Sequence, residues 1–398
     1  MLDKQTLVNE ALVQAQRTTF LDASFEPVLD RLVTALNTEA SLNEVGVGFH
    51  GARLRDLLTN RLRMEAWIEK HPKILEETIE RPIVVVGLPR TGTTMLHRTI
   101  ATDRSLLAPI WYEVRQPVPL ADDFEREDER IGISEAEVTA MLEAAPELAA
   151  IHPMDARAPD EEIMLLEHSF MSTVPECYAH IPKFGDWLYE QDQSAGYDYL
   201  YRCLQFLQWQ KRRKGQTGTR WLLKTPHHLH YPQYLFQRFP DAAVVQTHRH
   251  PVDVIPSYGS MMAALAQPFT DVLDAPGLAQ SWAEKWAKGL AKTMNYRSAH
   301  PEAPYLDLYF MDTVTNPEME IRKIYEFAGL ELTPEALTEM AHWRAFNERE
   351  SRPEHHYQLA DFGLMLKVLA TSSRSTSRLT FKSVLRFAAP VSTGVKNG

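Results

Sequence analysis

The sequence predicts an α/β fold built on a parallel sheet. Three short runs carry that expectation: Pro82-Ile83-Val84-Val85-Val86 closing on Gly87, Trp221-Leu222-Leu223, and Ala243-Val244-Val245-Gln246-Thr247. Each is too short for a helix and lacks polar alternation, the pattern of a strand buried on both faces. Helical segments separate them, and strands alternating with helices imply a parallel sheet.

The elements follow in order. Residues 1–80 read as a helical layer, with Leu7, Ala11, Leu12 and Ala15, then Leu29, Leu32, Val33 and Leu36, at helical spacing. A third helix is expected from about Leu54 to Glu69, carrying Leu57, Leu58, Leu62 and Trp67. After the strand at 82–86 comes a glycine-containing loop and a helix from Thr94 to Ala101. Residues 110–215 are less regular and read as a helical insertion. Within it, the charged stretch Asp122 to Arg130 reads as a solvated helix face or loop. Tyr197 to Gln210 reads as an aromatic-rich helix, and Lys211-Arg212-Arg213-Lys214 suits a helix C-terminus through the dipole alone. A further strand is expected at Tyr305 to Leu308 and a helix from Pro317 to Ala328. The stretch 371–398 holds basic residues, no acidic ones and many Ser and Thr, and reads as a partly disordered tail.

The 398 residues are 44% hydrophobic and 24% charged, enough for a sizeable core. The formal charge of −11 argues against general nucleic-acid binding, so an anionic ligand requires a local cluster of Arg, Lys and backbone N–H groups. The two cysteines, Cys177 and Cys203, lack metal-like spacing and read as reduced structural thiols. The N-terminus lacks a secretory pattern, and the longest apolar stretch, Ile83 to Leu88, is too short to span a bilayer. The expected location is therefore cytoplasmic.

Gly87-Leu88-Pro89-Arg90-Thr91-Gly92-Thr93-Thr94 has the frame of a P-loop, GxxxxGK[ST], between a predicted strand and a predicted helix. This makes the expected sheet P-loop NTPase-like, flanked by helices. Its N–H groups and the helix N-terminus can surround an anion. Thr93 stands where an ATP-hydrolysing loop has Lys, and the basic residue is Arg90. The P-loop Lys reaches the β and γ phosphates, so its loss argues against a kinase and suits a shorter anion chain without a metal.

A second segment, Val244 to Ser257 with Thr247-His248-Arg249-His250-Pro251, resembles the 3'-phosphate-binding strand and helix of sulfotransferases that use 3'-phosphoadenosine-5'-phosphosulfate (PAPS). In that family an Arg at the strand end and a Ser eight residues on grip the 3'-phosphate; Arg249 and Ser257 have that spacing. Pro89-Arg90-Thr91-Gly92-Thr93-Thr94 is similar to the 5'-phosphosulfate loop, and Leu223-Lys224-Thr225-Pro226-His227-His228 to the strand that brings Lys and His to the reacting centre. Tyr309 to Asp312 and Ile324 to Leu330 resemble the late strand and helix. The likeness covers about residues 81–335 and looks closest to the bacterial branch with the GLPRTGTT loop.

With the helical layer at 1–80 and the tail at 371–398, the resemblance implies a sulfotransferase domain at 81–370 with an acceptor-side insertion at 110–215. It implies PAPS as cosubstrate, no metal, and a small-molecule or lipid-like hydroxyl acceptor. Arg90, Thr91, Gly92, Thr93, Thr94, Arg249 and Ser257 would bind PAPS, with Arg90 and Lys224 stabilising the departing phosphate. His228 is the first choice of general base, then Glu113, with His227 and His152 also open, because Pro226 occupies the usual position of the His. Arg349 and Arg352 are stand-ins for the family's C-terminal anion-covering loop. An ATP-dependent P-loop kinase and a catalytically dead nucleotide-binding protein are the competing readings.

Overall fold

A computed structural model describes residues 1–144 and 154–347. The N-terminal layer consists of α1 (Lys4–Ala15), α2 (Glu26–Thr38) and α3 (Glu44–Lys70). Leu7, Ala11, Leu29, Leu32, Leu58 and Leu62 pack into one apolar cluster, as their spacing predicts. The third helix starts well before the expected Leu54. Asn43 caps it, accepting from the Gly46 N–H at 2.8 Å. Three glycines in its first turns conceal that start from a propensity reading. Gly46 is required there, because a Cβ would run into the Phe269 carbonyl oxygen.

The sheet has five parallel strands in the order β2-β3-β1-β4-β5. They are β1 (Ile83–Gly87), β2 (Leu106–Leu107), β3 (Arg220–Lys224), β4 (Ala243–His248) and β5 (Tyr305–Tyr309). The strand β2 is only two residues long and has no sequence signature. Along β1 the side chains alternate: Val84 and Val86 join the cluster containing Trp221 and Leu223, while Ile83 and Val85 join Leu222 and Val245 on the other face. Both faces are covered, so the run is apolar throughout. The loop after β1 leads into α4 (Thr93–Ile100).

The insertion carries α5 (Trp111–Arg115), α6 (Glu129–Ala144), α7 (Ile163–Glu167), α8 (Val174–Tyr178), α9 (Pro182–Tyr189) and α10 (Ser194–Arg213). After β3, a 3-10 turn (Pro226–His230) precedes α11 (Pro232–Arg238); α12 (Pro251–Ala266) and α13 (Ala275–Ala299) follow β4. The C-terminal described elements are α14 (Phe310–Thr315), α15 (Pro317–Ala328) and α16 (Pro334–Phe346). His152, Arg349, Arg352 and the tail lie outside the described residues.

Two sequence expectations are corrected by packing. The charged stretch ending at Arg130 is not simply solvated. The Arg130 side chain is fully buried, donating to both Asp128 oxygens (2.9 and 2.6 Å), the Gln116 carbonyl and Gln210 Oε1. Burial acts to raise the Asp128 carboxyl, but Arg130 and Lys214 hold it well below the usual range. The basic cluster that ends α10 also does more than complement a dipole. Lys211 pairs with buried Glu113, Lys214 with Asp128 and Arg212 with Glu77.

The N-terminal layer is joined to the insertion by a buried ion pair. Arg53 on α3 meets Glu167 on α7 in bidentate fashion, Nε to Oε1 at 2.6 Å and a terminal nitrogen to Oε2 at 2.5 Å. Removing one partner leaves the other charged and unpaired in the interior. Arg53→Ala is expected to destabilise the fold by about 3–5 kcal/mol in urea melts, and Arg53→Met combined with Glu167→Leu by clearly less.

Candidate active site

The C-terminal ends of β1, β3, β4 and β5 converge, as ligand sites of open α/β sheets do. From β1 comes the loop 88–92. Gly92 has φ 84°, and Arg90 is held at φ 67°, in a left-handed conformation that is uncommon for a residue with a Cβ. Thr91 Oγ1 donates to the Leu88 carbonyl and lies 2.7 Å from Thr247 Oγ1 on β4. This pins the loop to the neighbouring strand. A Cβ at Gly87 would strike that Thr247 hydroxyl. Thr93 is buried at the start of α4, whose N-terminus faces the loop.

Arg249, one residue past β4, donates to the Arg90 carbonyl at 3.1 Å. Its guanidinium lies 4.3 Å from the centroid of the Phe310 ring, and that ring also packs against Gly92. Arg90 Nε in turn donates to Ser257 Oγ on α12 at 3.1 Å. The two segments expected to bind anions are therefore in direct contact through Arg90, Arg249 and Ser257, with Arg90 and Arg249 159 residues apart in the chain.

Lys224 ends β3, almost fully buried. Its ammonium is 3.4 Å from Thr94 Oγ1 and 2.6 Å from Glu161 Oε1. Its main-chain N–H donates to Glu162 Oε2 at 2.7 Å. Glu162 Oε1 bonds His228 Nε2 at 2.9 Å, and His228 Nδ1 meets the Tyr197 hydroxyl at 2.7 Å. The turn carrying these glutamates is fixed from outside. Arg98 on α4 donates to the Pro159 carbonyl (3.0 Å) and pairs with Asp160, and Asp160 N–H donates to the Pro109 carbonyl. Burial pushes the Glu161 carboxyl up from its ordinary value, with Lys224 pulling against it. Among the described residues no cluster of three or more metal-ligating side chains occurs, and no helix is long and apolar enough to cross a membrane.

Residues 82–334, more than half of the chain, match the Sulfotransferase family. The chain belongs to the sulfotransferase family. It is 25% identical over 269 residues to omega-hydroxy-beta-dihydromenaquinone-9 sulfotransferase Stf3 of Mycobacterium bovis and of Mycobacterium tuberculosis. That match spans 63% of this chain and 63% of those curated relatives. Among solved structures it is similar to sulfotransferase STF1 from Mycobacterium tuberculosis H37Rv, with 28% identity and a TM-score of 0.78, over 92% of this chain and 96% of that one. Sulfotransferase STF9 from Mycobacterium avium shares the fold, with 23% identity and a TM-score of 0.79, over 92% and 93% of the two chains.

The fold brings together Arg90, the loop 91–94, Lys224, Arg249 and Ser257. It places Glu113 elsewhere. That carboxylate receives the Lys211 ammonium on both oxygens, at 2.8 and 2.6 Å, and caps its own helix through the Ile110 N–H at 3.0 Å. His228 sits behind Lys224, side chain fully buried and both ring nitrogens bonded. His227 packs against Tyr231, and burial pushes its imidazole well down. Sequence reading passed over Glu161, Glu162 and Tyr197. The one signal was the acidic triplet Asp160-Glu161-Glu162 directly before the apolar Ile163-Met164-Leu165-Leu166, and an acidic run is ordinarily a solvated face.

Gly92 combines positive φ with a Cβ position 3.2 Å from the Phe310 ring. Gly92→Ala should lower stability by about 1–2 kcal/mol in thermal melts, the usual penalty for an L-residue in left-handed backbone. It should also weaken anion binding by displacing the loop.

Proposed function

We propose that this chain transfers a sulfuryl group from PAPS to the hydroxyl of a lipid-like acceptor, releasing 3',5'-adenosine bisphosphate. The observation that carries this reading is the contact between the two anion-binding segments: Arg249 on the Arg90 carbonyl, Arg90 on Ser257. A nucleotide with phosphate at both its 3' and 5' positions matches such a double cradle, whereas ATP has no use for the second half. A glycine loop at a helix N-terminus holds the 5' end through N–H groups, and Arg249 with Ser257 holds the 3'-phosphate through charge-assisted bonds.

The residues divide the chemistry as follows. The acceptor oxygen bonds to sulfur while the bond from sulfur to the phosphate oxygen breaks. Lys224 and Arg90 face the charge that grows on the departing phosphate. Glu161 takes the acceptor proton. It touches the Lys224 ammonium and keeps about a fifth of its side chain exposed. His228, sealed behind Glu162, offers no free nitrogen to an acceptor in this arrangement. The lipid-like class of acceptor is supported by the name of the Stf3 relatives, which specifies a hydroxylated menaquinone, and by the aromatic residues of the insertion.

Calorimetry without added metal tests the donor. 3',5'-adenosine bisphosphate should bind, and Arg249→Ala should weaken it by about 10- to 100-fold, the worth of hydrogen bonds to a charged group. Magnesium-dependent ATP binding with no bisphosphate binding would replace this reading by a kinase. A panel of prenyl alcohols, hydroxylated quinones, phenols, sterols and sugars, assayed for PAPS turnover, tests the acceptor; transfer to sugars alone would overturn the lipid-like class.

The acid limb of kcat/KM reports the base in the free enzyme. Because burial raises the Glu161 carboxyl, activity should rise with pH through a midpoint above the usual Glu value of about 4.3. Glu161→Gln should lower kcat by about 10²–10⁴-fold and remove that limb.

A further inference from the structure

Two successive glutamates hold one lysine, and they hold different parts of it. Glu161 takes the side-chain ammonium of Lys224, and Glu162 takes its main-chain N–H. Behind Glu162 stand His228 from the 3-10 turn and Tyr197 from α10, in an unbroken chain of hydrogen bonds of 2.7 to 2.9 Å. Tyr197, His228, Glu162 and Lys224 are each no more than 2% exposed. Burial holds the Tyr197 phenol protonated, so it can donate to His228 Nδ1. Nε2 then carries the proton and donates to the Glu162 carboxylate, which fixes both ring tautomer and carboxylate orientation.

An apolar trio of similar size could fill this volume, and buried ionic groups are seldom the most stabilising solution. What the polar chain adds is direction. Its bonds fix the Glu162 carboxylate from opposite sides, and with it the peptide that carries Glu161.

We infer that Glu162, backed by His228 and Tyr197, is a positioning residue for sulfuryl transfer: it fastens the turn at Asp160 to the end of β3 and so aims the Glu161 carboxylate at the Lys224 ammonium. The inference rests on the reading of Glu161 as proton acceptor. It also assigns His228 a role without contact to the reacting atoms. Among the described residues, the groups within electrostatic reach of Glu161 include Lys224 from β3, Asp160 and Glu162 from its own turn, Cys177 from α8 and Tyr258 from α12. Glu162 is among those that disfavour the ionised form of Glu161, after the larger effect of burial.

The test measures PAPS turnover across pH with the best acceptor from the panel above, for Tyr197→Phe, His228→Ala, His228→Gln, Glu162→Gln and Glu161→Gln. Bisphosphate affinity and melting temperature are taken on each. Glu162→Gln and His228→Ala should lower kcat about 10- to 100-fold, the scale seen when groups that orient a reacting side chain are removed. KM for PAPS and bisphosphate affinity should stay within about two-fold, marking a loss confined to the transition state. His228→Gln should recover much of the loss, because its amide N–H can take the place of Nε2–H. Glu162→Gln should move the acid limb of kcat/KM to lower pH, since a negative neighbour of Glu161 is removed.

The inference is overturned if His228→Ala keeps kcat within about two-fold of the parent, or if Glu162→Gln only lowers the melting temperature and leaves the acid limb in place. Loss of the whole acid limb in His228→Ala, with the limb kept in Glu161→Gln, would make the imidazole the proton acceptor and also overturn it. An active Glu161→Gln sinks the proton-acceptor reading. An inactive Glu161→Gln beside an unaffected His228→Ala and Glu162→Gln sinks the positioning role alone.

Discussion

At the end of β3, Lys224 is gripped by the main chain and by the side chain at once, through Glu162 and Glu161, with Thr94 of the P-loop helix 3.4 Å from its ammonium. Three parts of the molecule meet on this residue: the sheet that places it, the glycine loop one strand away, and the irregular insertion that supplies both carboxylates. A lysine buried alone would shed its proton or its fold. Paired in this way, it stays beside the loop after β1, and the insertion is held to the sheet by the same bonds. The geometry of the site and the docking of the insertion are therefore one problem with one solution.

The rest of the insertion follows a similar logic. Glu113 with Lys211, Glu167 with Arg53, and Glu176 with Lys285 are buried ion pairs, each joining elements far apart in sequence. Such pairs contribute little net stability over apolar packing, but they penalise any docking that leaves one charge alone. In a region of short helices with weak periodicity, that penalty selects one arrangement. The apolar clusters around α1 to α3 and around the sheet supply the bulk of the burial.

Much of the fold was legible because its signals are local. The runs at 82–86, 221–223 and 243–247 are strands, and the GxxxxG frame sits between a strand and a helix as its context required. Arg249 and Ser257 reach the loop because their spacing places one at a strand end and the other in the following helix. Helix α3 was shortened in the reading because three glycines open it, of which Gly46 is needed for close packing against Phe269, and β2 was missed because two residues carry no periodicity.

The carboxylates were another matter. Glu113 carried the chemistry of a base and sat at a plausible distance along the chain, yet the fold pairs it with Lys211. Glu161 and Glu162 drew no notice in the sequence, yet both bond to Lys224. Glu161 reaches a lysine 63 residues away and Glu162 a histidine 66 residues away, across helices whose order in space no local pattern encodes. By itself the sequence determined the sheet and the glycine loop between strand and helix, because backbone periodicity and strand-to-helix turns are properties of neighbouring residues; the pairing of Arg249 with Ser257 came from the resemblance of their segment to the family's motif. Only the tertiary structure decided which acid meets Lys224 and which imidazole stands behind it, because burial and charge pairing are settled by what the folded chain brings within 3 Å.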